Sequence, residues 1–235
     1  MTAQRSIDSP VPAPPDRQSA GDGPTCPPTR DGDLVLLLHG YAAHKVLMTP
    51  LELRLRHRGW TTVNWGYPSV FSSIPDLAER FQRALERWDA EPGRERVHIV
   101  AHSMGCIVVR TALVEYRPRN LGRIVLICPP NRGSRMARWL AAALGWLSPP
   151  LRELSDRPNS FVNRLPDNLP TLCDVGIIRA KWDWIVRPEN TELSGIRDCI
   201  DVPAIHSSVL WRSATARYVD AFLRTGHFQC DATSL

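Results

Sequence analysis

Short apolar or β-branched runs alternate along this chain with segments of helical periodicity, and that alternation restricts its fold more than any other feature. LVLLLHG, which begins just after Asp33, TTVNW (61–65), RVHIVA (96–101), RIVLIC (123–128) and CDVGIIR (173–179) are each the length of a strand and close on Gly, Pro or polar residues. Most are apolar on both alternating faces, as a strand is when layers cover both sides of its sheet. Between them lie helical patterns at 45–57, at Met104–Glu115 and from about Ser207 to Leu223. Another starts at Ser73, Pro75 and Asp76, a capping-box variant, and continues as Leu77, Phe81, Leu85 and Trp88 at spacings of four, four and three. One or two helical stretches, including RMARWLAAALGWL, fall between 131 and 170. The alternation predicts an α/β fold: a mostly parallel, doubly wound sheet with helices on both faces and a small helical cap at about 131–170. Ligands of such sheets sit beyond the carboxyl ends of the strands, so chemistry is sought just after each strand.

The pattern starts near residue 32. Residues 1–31 hold seven of the 21 prolines and few large apolar side chains, a composition that cannot bury enough surface to offset its ordering entropy. They read as a disordered tail, with one domain over 32–228 and a C-terminal tail at 229–235. No uncharged apolar run approaches the roughly 20 residues of a membrane span. The net charge of +5 raises nucleic acid as a partner, but the basic residues are almost all Arg and are scattered without a basic run, which argues against it. Six cysteines occur singly, without a C-x-x-C pair, and read as small buried hydrophobes in a reducing compartment. The N-terminus lacks the apolar core of a secretory signal, so the expected location is cytoplasmic.

The chemistry gathers at three strand ends. Directly after RVHIVA, the residues Ala101-His102-Ser103-Met104-Gly105 lead at once into a helix. A Ser in a sharp strand–turn–helix junction, with small residues two before and two after it, is the setting of a nucleophile elbow. A helix N-cap Ser is the plain alternative, and partners decide between the two. A nucleophilic Ser needs a base, and the base needs an acid to fix its tautomer. Asp183 follows the strand CDVGIIR, and His206 follows IDVPAI and opens the last helix. Asp198, Asp201 and Glu192 are alternative acids, nearer the following strand. The loop after LLLHG supplies amides for a developing oxyanion, and the backbone N–H groups of Tyr41 and Met104 are the expected pair.

With LLLHGYAAH, VAHSMGCIVVR, CPPNRGSRMA, WDWIV and IHSSVLW in place, the chain resembles the α/β-hydrolase superfamily, and within it small bacterial lipases and esterases, over roughly 33–228. It departs from the commoner pattern at Ala101 and Cys106, neither of which is a catalytic position. The resemblance implies a serine hydrolase acting on carboxylic esters, small-molecule or lipid, without metal or organic cofactor. An acyltransferase with the same triad, or a binding protein on this fold without catalysis, are the alternatives. Activity is expected to fall as the pH drops and the base is protonated.

Other histidines have plainer readings. His102 is expected to point away from Ser103, His39 to pack or bond to backbone, and His227 to lie at the surface. Tyr41, Leu47, Phe71, Trp139 and Trp184 are the expected substrate contacts, following strands on the active side or lying in the insertion. The apolar stretch from Trp139 to Leu147 is either a core-facing helix or a lid over an apolar pocket.

Overall fold

The structure, a computed structural model, describes residues 32–93, 95–169 and 173–229. The expected N-terminal tail, and all of the C-terminal tail but Gln229, lie outside the described residues. One sheet of six strands organises the fold: β1 (Leu34–Leu38), β2 (Thr61–Trp65), β3 (Val97–His102), β4 (Leu121–Ile127), β5 (Val175–Ala180) and β6 (Asp198–Val202), in the order β2-β1-β3-β4-β5-β6. Every pairing is parallel, so all six carboxyl ends open on the same edge.

The helices divide between the faces as the apolar runs predict. Leu34, Leu36 and Leu38 of β1 enter one core with Ile74, Leu77 and Phe81 of α2 (Ile74–Asp89) and Ile107 and Val108 of α3 (Met104–Glu115). Val35 and Leu37, alternating with them, enter the opposite core with Leu51 and Leu55 of α1 (Thr49–Arg56) and Val219 and Phe222 of α7 (Ser213–Thr225). Each buried aliphatic side chain is worth about 1.5–3 kcal/mol of transfer free energy, so a run such as LVLLL is stable only between two layers. The start of α2 forms as its sequence signals: Ser73 Oγ accepts the Asp76 N–H at 3.2 Å.

Two boundaries differ from the sequence pattern. A 3-10 turn at Lys45–Met48 precedes α1, where Pro50 suits the first helical turn. The last helical pattern is interrupted: a 3-10 turn at Ser208–Trp211 and an extended Arg212 come before α7 begins at Ser213. His206 therefore lies in a turn before the helix and does not open it. Ser208 Oγ accepts the Ile205 N–H at 3.1 Å, a local side-chain bond of the kind that weakens helix propagation.

Between β4 and β5, α4 (Arg135–Leu144), α5 (Pro149–Glu153) and α6 (Phe161–Arg164) form the small cap. It is tied down by polar contacts with the body. Ser134 Oγ donates to the Ile185 carbonyl at 2.7 Å, Ser148 Oγ donates to that of Val70 at 2.6 Å, and Glu153 Oε2 accepts the Ile74 N–H at 2.7 Å. Arg110, buried within α3, donates to the Asn131 backbone and side-chain oxygens and to the Pro166 carbonyl. In α4 only Ala137 is buried, and Trp139, Leu140 and Leu144 face solvent. The core-facing reading of this stretch is thereby set aside.

Candidate active site

The strand order reverses beside β1, where β2 pairs on one side and β3 on the other. Connections from β1 and β3 diverge there and leave a crevice at the carboxyl edge. Ser103 stands in it, between β3 and α3, with φ 52° and ψ −123°. That backbone conformation is sparsely populated for any residue but glycine and costs about 1–3 kcal/mol. The surroundings impose it: the Ser103 N–H donates to the Ile127 carbonyl at 2.9 Å, while the Cys106 N–H already closes the first turn of α3 onto the Ser103 carbonyl.

Two glycines allow this approach. A Cβ on Gly105 would lie 2.6 Å from the His39 carbonyl oxygen and 3.0 Å from that of Leu38, so α3 seats directly on the end of β1. A Cβ on Gly40 would lie 2.9 Å from Ser103 Cβ and 3.4 Å from its Oγ. The loop after β1 therefore passes over the Ser103 side chain by backbone alone. Ala42, at φ 49°, turns this loop back just after Tyr41, and Met104 contributes the first amide of α3, a position without an intrahelical acceptor.

Ser103, Asp183 and His206, from three separate connections, meet beyond the strand ends. Ser103 Oγ is 2.9 Å from His206 Nε2, and His206 Nδ1 is 2.6 Å from Asp183 Oδ2. All three residues are buried. A carboxylate only accepts, so Nδ1 carries the imidazole proton and Nε2 is left to accept from the Ser103 hydroxyl. The other carboxylate oxygen, Asp183 Oδ1, accepts the Ile185 and Val186 N–H groups, each at 2.9 Å. Burial alone pushes the Asp183 carboxyl upward, but the hydrogen bond and charge of His206, with those two amides, overcome it and hold the group below its ordinary value. Asp183 is thus fixed as an oriented anion.

The alternative acids are engaged elsewhere. Asp201 is in a two-point pair with Arg179, Asp198 accepts the Cys199 and Phe228 N–H groups, and Glu192 lies 3.6 Å from Arg132. His39 stacks on Tyr67 with ring centroids 4.2 Å apart and bonds to the Gly40 carbonyl through Nδ1. The Tyr67 hydroxyl donates to the His39 carbonyl. His227 lies in reach of Arg197 and Asp198 at the far edge of the sheet.

Two buried residues beside His206 have contacts that the sequence did not signal. His102 reaches the loop that carries His206, with Nε2 3.0 Å from the His206 carbonyl oxygen. Cys128, just past β4, has φ 48° and lies fully buried. Burial and the nearby Asp183 carboxylate push its thiol well up, so it is a neutral lining group. Atoms of His102, Cys128 and His206 lie within 4.8 Å of one another. They do not make a ligand set as they stand, because the His206 nitrogens are held by Ser103 and Asp183 and the thiol is protonated. The left-handed backbone of Cys128 is not signalled by the small residues that mark the turn at Ser103, and neither residue stands out from periodicity.

The expected substrate contacts differ in their surroundings. The Tyr41 hydroxyl bonds to Ser148 Oγ at 3.0 Å, joining the β1 loop to the cap. Leu47 packs partly buried against the α1–α7 core. Phe71, Trp139 and Trp184 are exposed, as are Trp182, Trp146 and Trp211. Cys106, Cys128 and Cys199 are free thiols. Among the described residues no helix is long and apolar enough to cross a membrane.

Comparison with known proteins agrees with this architecture. Residues 35–230 match the family described as the alpha/beta hydrolase family. The fold is similar to that of the mature lipase BlEst2 from Bacillus licheniformis, at 16% identity and TM-score 0.69, covering 85% of this chain and 94% of the lipase. Lipase B from Aspergillus fumigatus is similar at 19% identity and TM-score 0.66, covering 80% of this chain and 51% of the lipase. A hydrolase from Oleispira antarctica is similar at 16% identity and TM-score 0.61, covering 84% and 93% respectively. At these identities the likeness is one of fold. No curated protein sequence matches.

Proposed function

The chain belongs to the alpha/beta hydrolase family, and within it we propose a serine hydrolase of carboxylic esters in which Ser103 is the nucleophile, His206 the general base and Asp183 the orienting acid. One observation carries this reading: the unbroken line of hydrogen bonds from Ser103 Oγ to His206 Nε2, 2.9 Å, and from His206 Nδ1 to Asp183 Oδ2, 2.6 Å. The strained φ of Ser103 adds support, because a plain N-cap serine does not require it.

Ser103 Oγ attacks the ester carbonyl as His206 Nε2 takes the hydroxyl proton. Asp183 stabilises the imidazolium that forms and stays ionised throughout. The tetrahedral oxyanion is held by the Tyr41 and Met104 amides, each typically worth about 2.7–4 kcal/mol in the transition state. His206 then returns its proton to the departing alkoxide, leaving an acyl group on Ser103. Water, deprotonated by the same imidazole, attacks the acyl carbon, and collapse of the second intermediate releases the acid. Tyr41, Phe71, Trp139 and Trp184 would contact the substrate, an arrangement suited to esters with apolar acyl groups. Similarity in fold to two proteins described as lipases supports an ester as the substrate class.

A fluorophosphonate probe with peptide mapping of the adduct tests the assignment. Labelling at Ser103, lost in Ser103→Ala, is expected, together with turnover of nitrophenyl esters. An unlabelled, folded protein would remove the serine-hydrolase reading.

A further inference from the structure

We propose that Ser148, in the small cap, is a positioning residue for hydrolysis: through the Tyr41 hydroxyl it holds the Tyr41 backbone amide where the oxyanion develops. The inference rests on the ester-hydrolase reading, in which that amide is an oxyanion donor, and it gives the cap a part in the chemistry beyond covering the crevice.

The hydroxyl of Ser148 is diverted from its local task. Ser148 is the N-cap residue of α5, a position where a serine ordinarily accepts an amide of the first helical turn. Its side chain makes no such bond. Oγ instead donates to the Val70 carbonyl at 2.6 Å and lies 3.0 Å from the Tyr41 hydroxyl, in a residue only 2% exposed. A serine hydroxyl has a single proton and a carbonyl only accepts, so the proton of Ser148 goes to Val70 and the Tyr41 hydroxyl donates to Ser148. The relay from Tyr41 through Ser148 to Val70 therefore has a fixed direction. It joins the connections that follow β1, β4 and β2.

Ser148 can act as an anchor because α5 is held at both ends. Beside the bond to Val70 at its start, its last residue, Glu153, accepts through Oε2 the N–H of Ile74, the first residue of α2. Leu151 within α5 and Leu154 just beyond it are buried. By contrast, α4 buries only Ala137. The fixed part of the cap is thus the part that reaches Tyr41.

The Tyr41 amide needs support on two sides. His39 Nδ1 bonds to the Gly40 carbonyl at 2.9 Å, which orients the peptide plane that carries the Tyr41 N–H. The Tyr41 side chain secures the other end of that plane, its Cα, by packing against the core of α2 and α3 and by its hydroxyl on Ser148. Its neighbours cannot share this task, since Gly40 and Ala42 have no polar side chain and Ala42 turns at φ 49°. A donor stabilises an oxyanion by standing in place before the charge develops. Misplacement by about 1 Å can cost about 10²-fold in rate, and a donor that is loosened but still present loses part of that.

Steady-state kinetics of the full chain on a soluble nitrophenyl ester test the proposal. Tyr41→Phe keeps the ring and leaves Ser148 bonded to Val70, whereas Ser148→Ala removes the acceptor. Each should lower kcat about tenfold with KM within about twofold, the pattern of an interaction made only in the transition state. The double variant should be no slower than the slower single one, because both remove the same support. Relaxation of backbone amide nitrogens reads that support without turnover: the Tyr41 order parameter should fall from about 0.85 to below about 0.6 in either variant. Losses of kcat that multiply, an unchanged kcat in Tyr41→Phe, a raised KM with kcat retained, or an unchanged Tyr41 order parameter each overturn the proposal. If Ser148→Ala does not fold, Tyr41→Phe decides alone. Failure of the ester-hydrolase reading shows separately, as absent turnover and absent fluorophosphonate labelling of the unmutated chain.

Discussion

His102 holds the backbone of His206: its Nε2–H donates to the His206 carbonyl at 3.0 Å, with the two ring centroids 4.9 Å apart. The residue just before Ser103 thus fixes the loop that carries His206. A carbonyl only accepts, so the proton of His102 lies on Nε2, and its buried Nδ1 is left without a hydrogen-bond partner. Burial first, and then the neighbouring His206, lower the His102 imidazole from its ordinary value to about 3.

Stability should therefore depend on pH through His102. Its folded value is about 3, whereas an unfolded histidine titrates near ~6.5. Between those limits the unfolded chain binds the extra proton, so stability is fully present above about pH 6.5 and declines as the pH falls, by up to about 1.4 kcal/mol per unit. Urea midpoints at pH 7 and pH 5 check this. His102→Phe should flatten the slope, and an unchanged slope would show that other groups govern it.

Ser103→Gly should stabilise the fold while abolishing hydrolysis. Glycine relieves the cost of φ 52°, about 1–3 kcal/mol, against roughly 0.5–1 kcal/mol of added chain entropy. A net gain of about 1 kcal/mol is expected, read as a higher melting temperature by calorimetry.

Gly105→Ala should do the reverse. The new methyl would meet the His39 carbonyl oxygen at 2.6 Å, a backbone atom that cannot yield without moving β1 and the loop after it. Overpacking of this kind costs about 1–3 kcal/mol, and loss of activity should exceed that accounted for by the unfolded fraction at 25 °C. Denaturant titration beside a rate measurement separates the two.

Asp183→Asn keeps the shape of the acid and removes its charge. The amide can offer an N–H to His206 Nδ1, favouring the tautomer whose Nε2 carries the proton and cannot accept from Ser103. By analogy with triads elsewhere, kcat should fall by about 10⁴ with little change in KM. A loss of less than about tenfold would mean that Asp183 is not the orienting acid.

The strands and α2 and α3 are legible in the sequence because each depends on a local pattern, such as the two-faced LVLLL or the spacing of Leu77, Phe81 and Leu85. The elbow around Ser103 is legible for the same reason: the small residue at 105 sits where helix and strand backbones touch. The outward turn of Trp139 and Leu144 is not, since an apolar stripe shows which side of a helix is alike without showing whether core or open surface faces it. The break at Ser208–Trp211 is hidden too, where the local bond of the Ser208 side chain competes with helix propagation.

What the chain by itself determined is the set of elements and the residue types at their carboxyl ends, because propensity and periodicity act over a few neighbouring residues. Tertiary structure alone decided which of these meet. It turned Asp183 to His206 while Asp201 paired with Arg179 and Asp198 received the Phe228 amide, and it brought His102 onto the His206 carbonyl. These are contacts across 22 to 104 positions of sequence, set by how six parallel strands close into the order β2-β1-β3-β4-β5-β6. No local pattern encodes that closure, since it follows from burying both faces of the sheet at once.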